Sequence, residues 1–179
     1  MTEQKNNTKK YVLYSLLGMV ALSIIMAWFM AQNLKQDSSK QRFILTKEYK
    51  KLKKLDYTYD EKRGQAVYKG LCAKCHRTDG VGTRQTPPLV DAKVLSGDPR
   101  KSMNIIIGGL AGGIIRNRKP FDSIMPGFKM IPSQDLAHVL NYVRKTFGKD
   151  TGADIPVVEI VKAKVKNIDR SKAYTEEEL

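Results

Sequence analysis

The chain has 179 residues, enough for one domain with appendages, and it carries 32 Lys and Arg against 18 Asp and Glu, a net charge of +14. A basic protein can bind nucleic acid, but no segment resembles a nucleic-acid-binding motif, so we exclude that class.

The first predicted element is an apolar segment near the N-terminus. Residues 1–10 form a polar stub, and Tyr11–Ala31 then runs for 21 residues without a charge. A helix of that length spans about 31 Å, enough to cross a hydrocarbon core. Interfacial aromatic residues lie near its two ends: Tyr11, Tyr14 and Trp28. A cleaved signal peptide is the alternative, but its apolar region is normally shorter. We predict a single-pass membrane anchor over residues 11–31, preceded by a cytoplasmic stub.

Residues 32–59 are predicted to form a basic connector helix. Apolar side chains recur close to the spacing of one helix face, and lysines cover much of the remainder. The apolar positions are Leu45, Tyr49, Leu52 and Leu55. Such a helix is compatible with anionic lipid headgroups, with a partner subunit or with a solvated stalk, and the sequence leaves these alternatives open.

The motif Cys72-Ala73-Lys74-Cys75-His76 follows, and C-x-x-C-H is typical of covalent haem attachment. Two thiols one helical turn apart can each add across a vinyl group of the porphyrin, while His76 coordinates the iron. Zinc is disfavoured because the second histidine, His138, lies in a different segment. A redox dithiol normally follows a strand, whereas the residues before Cys72 have a helical pattern. The motif therefore predicts one covalent haem c.

A second axial ligand is expected among the methionines, because a Met/His pair raises the potential of an electron-transfer haem. Met125 lies in a Pro- and Gly-containing loop that can hold a thioether still. Met103 falls in an apolar stretch and is predicted to be core filler. Met130 remains a weaker alternative. We predict that His76 and Met125 ligate the iron.

These motifs resemble those of class I cytochromes c, over about residues 64–147. Gly64-x-x-x-Tyr68 is similar to the first helix of that family, whose glycine lets the last helix cross closely, and Tyr142 occupies the aromatic position of the last helix. Pro87-Pro88-Leu89 resembles the family's Pro-x-Leu, in which the proline carbonyl accepts a hydrogen bond from the axial histidine. The resemblance implies an all-α haem domain over residues 60–148, with Pro87 and Leu89 beside the haem.

The run Leu140-Asn141-Tyr142-Val143-Arg144 through Phe147-Gly148, with the short valine-rich tail of residues 149–179 after it, resembles cytochrome domains associated with copper nitrite reductases, dehydrogenases and oxidases. A periodic set in this tail predicts a short amphipathic helix that packs on the domain or on a neighbour: Val157, Val161, Val165 and Ile168. The segment Thr175–Leu179 is expected to fray. We expect His138, beside the apolar stripe of the last domain helix, to be a surface residue.

Charge and motif together define the predicted function. Residues 64–147 carry 13 Lys and Arg against 5 Asp and Glu, a net charge of +8 that favours acidic redox partners. Because both axial positions are filled, we expect single-electron transfer in a respiratory chain, with no small-molecule substrate and no enzymatic activity of its own. The haem domain is predicted on the periplasmic side of a bacterial inner membrane. A free tethered carrier and a fixed subunit of a redox complex remain open; a haem peroxidase or gas sensor with a displaceable Met125 is the alternative function.

Overall fold

The computed structural model describes residues 2–54, 57–149 and 152–179. The chain divides into two compact units, Met1–Gln41 and Arg42–Leu179. It is mostly helical, which confirms the predicted all-α class, although one two-stranded hairpin is present. The helices in chain order are α1 (Thr2–Leu52), α2 (Glu61–Val67), α3 (Ala73–His76), α4 (Arg100–Gly108), α5 (Ser133–Phe147) and α6 (Val157–Lys166).

Helix α1 contains the whole predicted anchor and runs without a break through residues 31 and 32, where the sequence predicts the change from anchor to connector. All side chains from Leu16 to Met30 are exposed, as expected of an apolar surface that needs a non-aqueous environment. Within the described residues, α1 is the helix long and apolar enough to cross a membrane, a character that signal sequences near an N-terminus share. The Tyr11 side chain lies outside the described part.

The last turns of α1 belong to the second unit. Leu45, Tyr49 and Leu52 are half-buried there, as the predicted apolar face requires, and Leu52 packs against the core of the haem-motif domain. Leu55, the fourth predicted member of this face, lies outside the described residues. The connector therefore contributes part of the domain's own packing at its end.

Helices α2 and α5 cross at Gly64. The helix α2 is capped by Asp60, whose carboxylate accepts a hydrogen bond from the Arg63 backbone N–H at 3.0 Å. A Cβ at Gly64 would lie 2.5 Å from the His138 carbonyl oxygen and 2.8 Å from the Tyr142 Cβ. The expectation that this glycine permits a close crossing is confirmed.

His138 lies at the same crossing, and the prediction of a surface histidine is wrong. Its exposed fraction is 8%. Its Nδ1 accepts a hydrogen bond from the Asp60 backbone N–H at 3.1 Å and faces the Tyr57 hydroxyl at 3.2 Å. A partner 78 residues away in the chain supplies the contact that makes burial of this ring possible.

Helix α4 supplies much of the remaining core. Met103, Ile106 and Ile107 are buried, while Ile105 is half-buried. Met103 is thus core filler, as expected. Gly109, the first residue beyond the helix, allows another backbone to come close, because a Cβ there would lie 2.6 Å from the Met125 carbonyl oxygen.

The tail helix α6 packs on α4 and α5 of its own domain. Val157, Val161 and Ile168 are buried and Val165 is half-buried, so the predicted amphipathic helix is confirmed. The chain entering α6 is pinned by one side chain. Asn141 donates from Nδ2 to the Ile155 carbonyl at 3.0 Å and accepts from the Ile155 N–H at 2.8 Å.

Strands β1 (Ile114–Arg116) and β2 (Lys119–Phe121) pair antiparallel, with Ile114 opposite Phe121. The two connecting residues have positive φ, 52° at Asn117 and 63° at Arg118, as in a type I′ turn. The sequence analysis misses this hairpin because arginine stands where such turns usually have glycine.

The extreme C-terminal segment is ordered, so the prediction that it frays is wrong. A 3₁₀ turn spans Glu176–Glu178, and Thr175 and Glu178 form a reciprocal capping box in which each side chain accepts a hydrogen bond from the other's backbone N–H. Tyr174, just before this turn, is buried.

Candidate functional site

A cavity of about 130 Å³ brings together five of the six predicted site residues. They are Cys72, Cys75, His76, Pro87 and Met125. A larger cavity of about 640 Å³ adjoins it, and Leu110 lines both. The donor set, two thiols, an imidazole and a thioether, fits a covalently attached haem.

The haem-motif side of the cavity is built from a π-helical turn, Tyr68–Cys72, that leads into α3. Tyr68 is 1% exposed, and its ring packs 5.5 Å from the ring of Tyr142 and 5.3 Å from that of Phe147, measured between centroids. Its hydroxyl donates to the Arg77 carbonyl at 2.6 Å. Tyr68 precedes the C-x-x-C-H motif and Arg77 follows it, so these contacts join both ends of the motif to the aromatic residues of α5.

His76 is buried, and its Nδ1 lies 3.1 Å from the Pro87 carbonyl oxygen. This is the contact that the family resemblance implies. A carbonyl can only accept, so Nδ1 carries the proton and the neutral ring keeps a lone pair on Nε2 for a metal. Burial lowers the pKa of His76, and the Pro87 hydrogen bond partly opposes that shift. The neutral form needed for ligation is therefore favoured at neutral pH.

The two thiols have different surroundings. Cys72 is half-buried, and burial, with a smaller contribution from Cys75, raises the pKa of its thiol to about 11. Cys75 is exposed. Across the described residues, no three His, Cys, Asp or Glu side chains converge as a site for a metal ion alone. The zinc alternative therefore gains no support, whereas thiols bordering a cavity suit attachment to a porphyrin.

Met125 lines the cavity from the loop between β2 and α5. Its backbone forms two hydrogen bonds with Leu110, from the Leu110 N–H at 3.0 Å and to the Leu110 carbonyl at 2.8 Å. The other two candidate methionines lie elsewhere, since Met103 is in the core and Met130 is 78% exposed. Of the three, Met125 has the position from which a thioether can reach the cavity.

Leu89, the sixth predicted residue, does not line the cavity. It is half-buried, packs against the hydrophobic core and donates its backbone N–H to the Gly80 carbonyl at 2.7 Å. The loop turning under His76 is tight, because a Cβ at Gly82 would lie 2.3 Å from the Thr86 carbonyl oxygen and 2.8 Å from that of Pro87. Leu89 anchors this loop from its far end.

Sequence analysis misses several lining residues on the methionine side. Leu110, Ile114 and Phe128 line the cavity. Each lies next to a glycine or in the unforeseen hairpin, where no helical or alternating pattern marks an apolar residue as buried. An apolar residue within a glycine-rich loop is the signal that would have identified Leu110.

The comparisons with known proteins agree with this site. The cytochrome c family model matches residues 61–147. The cytochrome c subunit of alcohol dehydrogenase (quinone) from Gluconobacter oxydans (strain 621H) is 34% identical over 115 residues, 62% of this chain and 23% of that protein. The corresponding subunits of Gluconacetobacter polyoxogenes and Komagataeibacter europaeus are 32% identical over 104 residues, 55% of this chain and 22% of each.

The chain therefore spans less than a quarter of the length of these curated relatives. Its matched part contains the C-x-x-C-H motif, the Pro87 carbonyl beside His76 and the Met125 loop. Residues 61–147 are a cytochrome c domain, and haem c is the cofactor of that family.

Proposed function

We propose that the chain binds one haem c and transfers single electrons. In this proposal Cys72 and Cys75 hold the porphyrin through thioether bonds, and His76 and Met125 are the axial ligands. The observation that carries the proposal is the convergence of these four side chains on one cavity, with the His76 Nδ1 held 3.1 Å from the Pro87 oxygen. When bound, haem c supplies an iron centre that gains and loses one electron.

The residues around the site fit electron transfer better than catalysis. Pro87 fixes the tautomer and direction of His76, which keeps its Nε2 available. The Leu110 hydrogen bonds hold the Met125 backbone, so the thioether approaches without a large entropic cost. With two protein ligands assigned to the iron, no position is left for a substrate. The protein then acts as an electron-transfer component and not as the catalytic enzyme.

The test is the optical spectrum of the oxidised, haem-loaded full chain in mild detergent. A sulfur-to-iron charge-transfer band is expected in the wild type and is lost in Met125→Ala. Met130→Ala is the matched control, because that side chain is 78% exposed and should leave the band unchanged. A band that survives in Met125→Ala, or is absent from the wild type, contradicts the assignment and favours ligand binding or peroxide chemistry instead.

We further propose that this cytochrome works in a membrane redox complex. The relatives are named as cytochrome c subunits of a quinone alcohol dehydrogenase, and α1 offers an apolar surface suited to anchoring. The domain would then lie on the periplasmic side of a bacterial inner membrane, where its basic charge favours acidic partners in a respiratory chain.

Co-purification separates a complex subunit from a free tethered carrier. Native membranes are extracted in mild detergent, and the cytochrome is followed through gel filtration by its haem absorbance. A stoichiometric complex with a dehydrogenase or another redox protein is the expected result. A cytochrome that elutes alone supports the free carrier, and its electron-transfer chemistry is unaffected by that outcome.

A further inference from the structure

The C-terminal tail pairs with the same chain segment that holds Met125. Leu110 bonds to Met125 on one side through hydrogen bonds of 3.0 and 2.8 Å. On its other side the Ala111 N–H donates to the Tyr174 carbonyl at 2.7 Å, and the Tyr174 N–H donates to the Gly109 carbonyl at 3.0 Å. Met125, Leu110 and Tyr174 thus form a three-membered backbone ladder with Leu110 in the middle.

Tyr174 is fixed by its own side chain. It is 7% exposed, and its hydroxyl donates to the Asn167 Oδ1 at 2.7 Å. Asn167, 1% exposed at the end of α6, donates in turn from Nδ2 to the Ala163 carbonyl at 2.8 Å. The Arg170 guanidinium also lies over the Tyr174 ring, 3.6 Å from the ring centroid. The tail end of the ladder is therefore joined to the core through α6.

Charged contacts hold the rest of the tail. Glu178 pairs with Arg170 at 2.6 Å, and Glu176 pairs with Arg116 of the hairpin strand β1 at 2.6 Å. Such partly exposed ion pairs contribute little energy one by one. The Glu176–Arg116 pair nevertheless fixes the tail against the strand that begins at Ile114, a residue lining the cavity. Among all the contacts of the tail, we expect the buried hydrogen bond from the Tyr174 hydroxyl to Asn167 to stabilise the ladder most.

The segment that contains Leu110 is rich in glycine and has little conformational preference of its own. Glycine stands at positions 108, 109, 112 and 113, so its unfolded backbone samples many conformations. The tail itself lies outside residues 61–147, the part that matches the cytochrome c family model. The tail adds two hydrogen bonds to the segment around Leu110, on the side opposite its pairing with Met125.

We propose that residues 169–179 are a brace that holds Leu110 and, through it, Met125 against the haem, with Tyr174 as the positioning residue. This inference rests on the proposed axial role of Met125. Loosening the brace leaves the iron's other attachments intact but makes the thioether easier to displace.

The experiment titrates imidazole into the oxidised, haem-loaded full chain in mild detergent and follows loss of the sulfur-to-iron band. Tyr174→Phe removes the hydroxyl bond and keeps the ring, and Tyr174→Ala removes both. We expect Tyr174→Phe to raise the apparent affinity for imidazole by about twofold to tenfold, as for one lost buried hydrogen bond. Tyr174→Ala should raise it further.

Val139→Ala is the matched control, because Val139 is a fully buried core residue of α5 and lies outside both the ladder and the helix α6 that holds Tyr174. It destabilises the fold by packing loss and should leave imidazole affinity unchanged under native conditions. If Tyr174→Ala does not accumulate as folded protein, the comparison of Tyr174→Phe with Val139→Ala decides the question alone.

The brace is refuted if Tyr174→Phe matches the wild type, or if Val139→Ala raises imidazole affinity to the same extent. Failure of the underlying proposal is seen separately. If Met125→Ala keeps the band, the axial assignment is wrong; if Met125→Ala loses it and Tyr174→Phe binds imidazole as the wild type does, the brace alone is wrong.

Discussion

The two sides of the cavity are held by different kinds of interaction. On the His76 side, the aromatic ring of Tyr68 is buried against α5, and α2 crosses that helix at Gly64. On the Met125 side, backbone hydrogen bonds to Leu110 and close glycine contacts position a loop. The difference implies that the position of His76 depends on the packing of the whole domain, whereas that of Met125 depends on a local backbone contact that can loosen while the domain stays folded.

Gly64→Ala is expected to have the largest effect, on the His76 side. The added methyl group meets the backbone of α5 at 2.5 Å, and two packed helices must separate to accommodate it. Overpacking of this kind costs about 2–3 kcal/mol, more than the better helix propensity of alanine returns. Urea unfolding of the haem-loaded chain, followed by circular dichroism, measures the loss of free energy.

Gly70→Ala is the control for that substitution, because a Cβ at Gly70 meets nothing within 4 Å. It lies in the neighbouring π-helical turn and should be neutral or slightly stabilising. If both alanine variants lose the same stability, the close crossing at Gly64 is not what limits this position.

Gly127→Ala tests the Met125 side. A Cβ there lies 2.5 Å from the Ile107 carbonyl oxygen, so the loop after Met125 must move. We expect a smaller cost, about 1–2 kcal/mol, because a loop shifts more easily than a helix pair. The sulfur-to-iron band should weaken well before the fold is lost, and parallel urea titrations read by that band and by circular dichroism measure the separation.

Gly113→Ala is the matched control in the same region, since its Cβ would enter open space. It should leave the band and the unfolding midpoint unchanged. Coincident loss of band and fold in Gly127→Ala would show that the two sides of the cavity are not independent.

The smallest expected effect is a pH dependence at His138, where α2 meets α5. Burial lowers the pKa of His138 below its usual 6.5, and Arg63 lowers it slightly while Asp60 and Asp135 oppose the shift. The unfolded chain therefore binds this proton more readily than the folded chain. Stability is complete above the unfolded pKa, and falls as the pH drops through about 6.5 toward the lower folded pKa.

His138→Asn provides the measurement, because its side-chain oxygen can accept the Asp60 N–H bond and does not titrate. Urea unfolding of both proteins between about pH 7.5 and about pH 5.5 should give a steeper loss for the wild type. Taking the difference between the two proteins removes the contribution of His76, which is common to both. Equal slopes would mean that the pKa of His138 is the same in the folded and the unfolded chain.

Sequence reasoning identified what is local in the chain. The C-x-x-C-H spacing, the Pro87 turn and the Pro-Gly loop at Met125 are each contained in a few consecutive residues whose chemistry is specific. Periodicity was sufficient for α5 and α6, because their apolar faces repeat at the spacing of a helix.

What it missed depends on partners distant in the chain. His138 has a polar residue type, and its burial follows from a backbone N–H 78 residues away. The ladder joins Leu110 to Tyr174, and neither residue carries a local pattern that predicts the pairing. The hairpin turn at Asn117 and Arg118 adopts positive φ without glycine, so turn composition gave no indication of it.

The Asn141 side-chain amide forms two hydrogen bonds with the Ile155 backbone, one as donor and one as acceptor. This contact has a practical consequence for labelling the protein. These two hydrogen bonds fix the backbone at Ile155, where the chain enters α6. We therefore expect changes in the preceding loop to leave the packing of α6 undisturbed. Gly152 and Ala153 are exposed there. A short peptide tag or a single cysteine for a fluorophore, inserted after Gly152, gives a handle outside the residues that line the cofactor cavity.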